Sequence, residues 1–134
     1  MRTVRLAGTI GLWALQVLLG ALFVLLGTGK FLDPTWARNF ARWGYPDGFY
    51  MVVGVLEAVG GLLLFVPRLA SYSAAMLGII MIAASLTHFV HGEMHRVAPP
   101  LIYLAVLAIV GIARRRAAVR LVSMRPAAPE LGPM

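Results

Sequence analysis

A few strongly polar side chains interrupt a chain that is otherwise 60% hydrophobic, and they are the natural candidates for chemistry. Glu57 is the sharpest of them. It stands midway along the apolar run Gly48 to Val66, near the centre of a helix long enough to cross a bilayer. An ionised carboxylate at that depth costs at least ~2.5 kcal/mol, so it must be paired or protonated, and it is a candidate intramembrane acid or base. Gln16 falls at about the same depth in the first apolar run and is its expected hydrogen-bond partner; no cation can be placed at that level from the sequence. Lys30 and His88 sit near the outer boundary, with His88 roughly 14 Å above Glu57 by helical rise. Glu57, His88 and Lys30 are therefore the candidate catalytic residues, strung along a polar path from the extracytoplasmic side to the midplane. Gln16, Ser85, Trp36, Trp43 and Tyr103 are the candidate substrate-binding residues. The competing reading is an interhelical clasp between Glu57 and Gln16 that does no chemistry.

His88, His91 and His95 recur at i, i+3 and i+7, a spacing that could array imidazoles for a metal or haem. Gly92 interrupts the run and His91 lies about 60° from His88 on a helical wheel, so no metal site is assigned. Met51, Met76, Met81 and Met94 form no thioether cluster. The chain contains no cysteine, which excludes disulfide exchange, thiolate metal sites and iron–sulfur clusters. A redox role would need a bound cofactor such as a quinone, or a partner protein; nothing in the sequence marks an intrinsic cofactor.

The elements that must carry these residues follow from the apolar runs. Leu6 to Thr28, Gly48 to Val66, Leu69 to Val90 and Val97 to Ala113 are each read as a transmembrane helix (about residues 6–28, 48–66, 69–90 and 97–113), since ~20 apolar residues span the hydrocarbon core. Short connections make neighbours antiparallel, Pro67 closes the second run, and Pro99 with Pro100 opens the fourth, where missing amide hydrogens matter least. Between the first two runs, Asp33 and Pro34 start a short helix on which Trp36, Phe40 and Trp43 recur at i, i+4 and i+7. It is expected to lie in the membrane interface, as an aromatic anchor in preference to a substrate lid. The expected fold is an all-α integral membrane protein: an antiparallel four-transmembrane-helix bundle over residues 1–113, with a short interfacial amphipathic helix between helices 1 and 2, and a basic, disordered cytoplasmic tail over 114–134.

Within the runs the polar groups share faces with small residues. Gln16, Gly20, Gly27 and Lys30 fall within about 80° of arc on the first helix; Gly54, Glu57, Ala58 and Gly61 form one stripe on the second; Ser71, Ala74, Gly78, Met81, Ser85 and His88 fall within about 100° on the third. These faces are suited to helix packing, away from lipid. Glycines at 20, 27, 54, 61 and 78 could leave a ligand cavity open toward the extracytoplasmic side, or could let the helices collapse together.

The formal charge is +7, with 12 basic and 5 acidic residues. Five of the basic residues, Arg114, Arg115, Arg116, Arg120 and Arg125, follow the last apolar run, the juxtamembrane placement that suits anionic lipid. With Arg2, Arg5 and Arg68 they make eight on one side, against Lys30, Arg38, Arg42 and Arg96 on the other. Both termini are therefore expected in the cytoplasm of a multi-pass inner-membrane protein. No reading motif or aromatic and basic interleaving accompanies the charge, so a nucleic-acid partner is not expected.

The segment Gly27-Thr-Gly-Lys30-Phe31, the turn Gly44-Tyr-Pro46, the stretch Val53 to Leu64 around Glu57, and Met81 through His88 together resemble the DoxX and DoxX-like membrane proteins, over Leu6 to Ala113. The resemblance implies a four-helix membrane fold, with Lys30, Glu57 and His88 matching the family's polar pattern. Some members are similar to small subunits of quinone-linked oxidoreductases such as thiosulfate:quinone oxidoreductase, and others are tied to quinone or oxidant stress. The leading expectation is thus a membrane subunit or small enzyme that holds a quinone- or lipid-like small molecule, with Glu57 as acid or base and a redox partner protein or homo-oligomer alongside. The alternatives are a non-redox enzyme (isomerase, cyclase or ring-opening) acting on an apolar substrate, and a structural or assembly subunit without chemistry. A proton-coupled carrier is least expected, because the chain shows no inverted repeat.

Overall fold

The computed structural model describes residues 2–126, and the described residues fold into helices and turns. Helix α1 spans Arg2–Leu32, α2 Thr35–Arg42, α3 Phe49–Leu64, α4 Ala70–Val90 and α5 Ala98–Ser123, with a single 3-10 turn at Met94–Arg96 before α5. Three stretches, Arg2–Leu32, Ala70–Val90 and Met94–Ser123, are long and apolar enough to cross a membrane, and α3 is a shorter apolar helix. The exposed surface of these helices is rich in Leu, Ile and Val, as a surface solvated by lipid tails requires.

The helices differ from the apolar runs at their ends. Helix α1 extends past both limits of the run 6–28, because Thr3 and Lys30 to Leu32 continue without a breaker until Asp33-Pro34. Helix α3 is trimmed to Phe49–Leu64, since Gly48 adopts a left-handed φ of 79° at its start and Pro67 forbids further helix beyond. The expectation of a disordered tail from residue 114 is corrected over its first part: α5 continues unbroken to Ser123. Arg, Ala and Leu are all good helix formers, and there is no glycine or proline in this segment until Pro126. The proposed disorder of residues 127–134 lies outside the described residues.

Two helix pairs, α1 with α3 and α4 with α5, make the most extensive contacts, and α3 with α4 joins them. The apolar core between them is built from Leu19 and Phe23 of α1, Leu64 of α3, Leu77 and Met81 of α4, and Leu107 and Val110 of α5. Tyr103, expected to bind substrate, sets its ring edge-on against Phe23 at 6.1 Å and packs on this core.

The α1/α3 contact is the tightest in the fold and sets the heights of Gln16, Lys30 and Glu57 relative to one another. A Cβ on Gly20 would stand 2.8 Å from the Gly61 carbonyl oxygen, and one on Gly27 would stand 2.4 Å from that of Gly54. Real side chains do not approach so closely, so these four glycines allow backbone-to-backbone packing. They do not leave the cavity that the sequence suggested; of the two alternatives the glycines allowed, collapse of the helices is the one found. The pairing also sets the register: moving from Gly20 to Gly27 along α1 moves from Gly61 back to Gly54 along α3. Val24 is therefore level with Glu57, and Gln16 is level with Phe65.

Candidate functional site

The register explains where the polar side chains go. On a helix each side chain leans toward the N-terminus of its own helix. Lys30 starts about 9 Å beyond Glu57 along the axis and leans back toward Gly27. Glu57, on a helix running the other way, leans toward Gly54 at the same level. The two meet where the glycines have removed competing side chains: Lys30 Nζ donates to Glu57 Oε2 at 2.5 Å. Their side chains are only 5% and 4% exposed. The expected Glu57 to Gln16 bond is thus corrected, as is the view that no cation reaches Glu57. Gln16 sits about 12 Å lower than equal depth would require and leans away from Glu57.

Gln16 joins a different network. Its Nε2 donates to the Leu64 carbonyl at the end of α3, and its Oε1 accepts from Arg114 Nε at 2.6 Å. Arg114 also lies over the ring of Trp13, 4.6 Å from the centroid. Helix α1 thereby ties the last turn of α3 to the start of the arginine-rich part of α5.

Above the Lys30–Glu57 pair lies α2. Asp33 Oδ1 accepts from the Thr35 amide at 2.9 Å and opens the helix, as a short polar residue before a helix start does. The Thr35 side chain first and its amide second, with the Arg38 charge nearby, hold the Asp33 carboxyl below the ordinary carboxylate value. The aromatic face of α2 turns onto the bundle: Trp36 stands over Lys30 with the ring centroid 4.2 Å from Nζ. Phe40 is buried among Trp36, Trp43, Tyr45, Phe49 and Tyr50. This side of the helix thus places Trp36 over the Lys30 end of the ion pair.

The far end of α2 is held by a residue that no apolar run or periodic spacing marks. Glu93 accepts from Arg42 and, at 3.4 Å, from Trp43 Nε1, while its other oxygen pairs with His88 Nδ1 at 2.7 Å and with Arg96 at 3.8 Å. Partial burial alone would raise its pKa, but the His88 and Trp43 hydrogen bonds, helped by the Arg42 and Arg96 charges, hold it below the ordinary glutamate value. Gly92, with φ of 72°, turns the chain so that Glu93 faces back onto α4. The Trp43 ring meets His88 edge-on at 5.1 Å, and Tyr45 Oη is 2.5 Å from Thr87 Oγ1. His88 is therefore engaged by both Glu93 and Trp43.

Ser85 is buried, and its hydroxyl reaches only the Val97 carbonyl, at 3.5 Å. The hydroxyl that ties α4 to α3 belongs to Ser73, which lies off the polar stripe of α4 and donates to the Gly60 carbonyl at 2.5 Å. His91 turns Nδ1 to the Thr87 carbonyl and His95 is exposed. Among the described residues no group of three His, Asp or Glu side chains is placed to hold a metal ion.

Five of the expected residues, Lys30, Glu57, Trp36, Trp43 and His88, thus share one region under and around α2, and Gln16, Ser85 and Tyr103 do not join them in these contacts. Residues 14–110 match the sequence profile of the DoxX-like family, which is most of the chain. The chain belongs to the DoxX-like family. Comparison with curated proteins and with solved structures finds no match. The DoxX-like region contains Lys30, Glu57, His88 and Glu93 together with α2, whereas Arg114 and the arginines that follow it lie beyond the matched residues.

Proposed function

We propose that this DoxX-like protein lies in the inner membrane with four antiparallel crossings and both termini in the cytoplasm, and that it binds a quinone- or lipid-like small molecule beside the Lys30–Glu57 pair. The observation that carries this reading is the pair itself: two opposite charges, withdrawn from solvent and capped by Trp36. A purely structural clasp at this depth is costly to build, whereas a buried acid and base are what proton exchange with an apolar substrate requires. In the redox form of the reading, a partner protein supplies two electrons, and quinone takes them up with two protons to give quinol. Glu57 and Lys30 are the groups that exchange a proton with the quinone oxygen. The substrate enters under α2, with Trp36 and Trp43 against its ring and His88 and Glu93 at the mouth.

The same acid and base would serve an isomerase, cyclase or ring-opening enzyme acting on a membrane-dissolved substrate. A structural subunit is the contrasting class, and the glycine-to-glycine packing of α1 on α3 favours it, because that interface holds no space of its own for a ligand. One experiment separates these readings. A lipid and quinone extract of the purified protein, read by mass spectrometry, should contain one apolar molecule near equimolar amount, lost in Glu57→Gln and in Trp36→Ala at normal expression. Activity and extract unchanged in Glu57→Gln would leave only the structural reading. A non-quinone product would select the non-redox enzyme.

A further inference from the structure

A second feature lies between α4 and α5. An open groove runs there, lined by Ala74, Ala75 and Gly78 of α4 and by Leu104, Ala108 and Gly111 of α5. The helices touch at its base: a Cβ on Gly111 would stand 3.1 Å from Ala74 Cβ, and one on Gly78 would stand 3.2 Å from Leu104 Cδ1. Ala75 and Ala108 are exposed and too small to fill the space over that contact, and Ile79, Ile82 and Ile112 supply further apolar wall. The groove is not apolar throughout, because Arg115 lines it as well. A second depression, formed by Ile112, Arg115, Arg116, Val119 and Arg120, shares Ile112 and Arg115 with the first and continues it along α5. An apolar trough therefore passes directly into a surface of three arginines.

The dimensions fit one lipid tail. From Leu104 to Arg115 α5 rises ~16 Å, about the thickness of one leaflet's hydrocarbon. Arg115 then stands where the headgroups begin, and its planar fork of donors matches a phosphate. Among the described residues the ion pairs join Lys30 to Glu57 and Arg42, His88 and Arg96 to Glu93; Arg115, Arg116 and Arg120 enter none of them.

We propose that the α4/α5 groove is a binding site for one anionic phospholipid, with an acyl chain along Ala75, Gly78 and Ala108 and its phosphate on Arg115. Arg116 and Arg120 strengthen the local positive field. The site is separate from the Lys30–Glu57 region and rests on the membrane placement of α4 and α5, not on any chemistry at that pair.

The full-length protein in detergent is titrated with phosphatidylglycerol and with phosphatidylcholine of identical chains, and bound lipid is counted by native mass spectrometry. The unmodified protein should retain one phosphatidylglycerol in preference to phosphatidylcholine. Arg115→Gln should lower that preference about five-fold, the effect of one basic residue at an anionic surface. Ala108→Phe, which fills the groove from an exposed position, should reduce retention of both lipids, and Ala75→Phe does the same from the other helix should the first variant fold poorly. Arg125→Gln, outside the groove, should change nothing. Equal retention by Arg115→Gln and the unmodified protein would overturn the proposal, as would unchanged retention in both phenylalanine variants. A dimer that excludes lipid until it dissociates would also overturn it, by assigning the groove to a second copy of the chain.

Discussion

Replacing Lys30 by Met keeps most of the side chain's length and removes its charge, leaving Glu57 without its cation. At 2.5 Å, with an effective dielectric near 20, the attraction between the two charges is on the order of 7 kcal/mol. Withdrawal from water costs several kcal/mol for each ion, so the intact pair adds little net stability. Removing one partner abolishes the attraction but leaves the other ion's desolvation, and the expected loss is about 3–5 kcal/mol. Lys30→Met also forfeits the contact with Trp36, worth ~0.5–2 kcal/mol. Glu57→Gln should cost a similar amount for the opposite reason, since it strands the ammonium. The double variant Lys30→Met/Glu57→Gln removes both charges and should be more stable than either single variant. The assay is reversible unfolding in mixed dodecyl sulfate and maltoside micelles, followed by tryptophan fluorescence, for which Trp36 is a local reporter. The coupling should reach the upper end of measured pairs, ~3 kcal/mol. Single losses that add to the double loss within about 0.5 kcal/mol would refute a buried, mutually dependent pair.

Gly27→Ala should destabilise by about 1–3 kcal/mol in the same assay, because its Cβ would meet α3 backbone. Gly29→Ala, with nothing within 4 Å, should be neutral or mildly stabilising. The folded-state pKa of Glu93 is lowered from 4.5, so its contribution is present above about that pH and is lost as pH falls through the lower folded value. Acidification should thus release Trp43 from the Glu93 contact, seen as a fluorescence change that is absent in Glu93→Gln. The basic-residue asymmetry predicts residue 39 outside and residue 123 inside. Single cysteines there, in a protein that has none, should show an impermeant maleimide labelling Asn39→Cys and not Ser123→Cys in intact cells, and the reverse would invert the topology.

The membrane character, the helical elements and the start of α2 at Asp33-Pro34 were legible in the chain itself, because hydropathy, helix propensity and proline act locally. So was the presence of Glu57 as an ionisable group within an apolar helix, which must find a partner there. The partners of the polar residues were not legible. Depth counted from the ends of each run placed Gln16 level with Glu57 and left Lys30 at the boundary. The actual height of α1 against α3 is decided by which glycines let the two backbones touch, Gly20 with Gly61 and Gly27 with Gly54. That shift, together with the lean of each side chain toward its own N-terminus, carries Lys30 to Glu57 and turns Gln16 toward Leu64 and Arg114. Glu93 gave no periodic signal because it lies in a connection, where its contacts with Arg42, Trp43 and His88 depend on the turn at Gly92 and on how α2 folds over the bundle. Composition and local spacing determined what could lie in the membrane and which polar groups must find partners there; interhelical register, a property of close packing between segments distant in sequence, decided which of those groups meet.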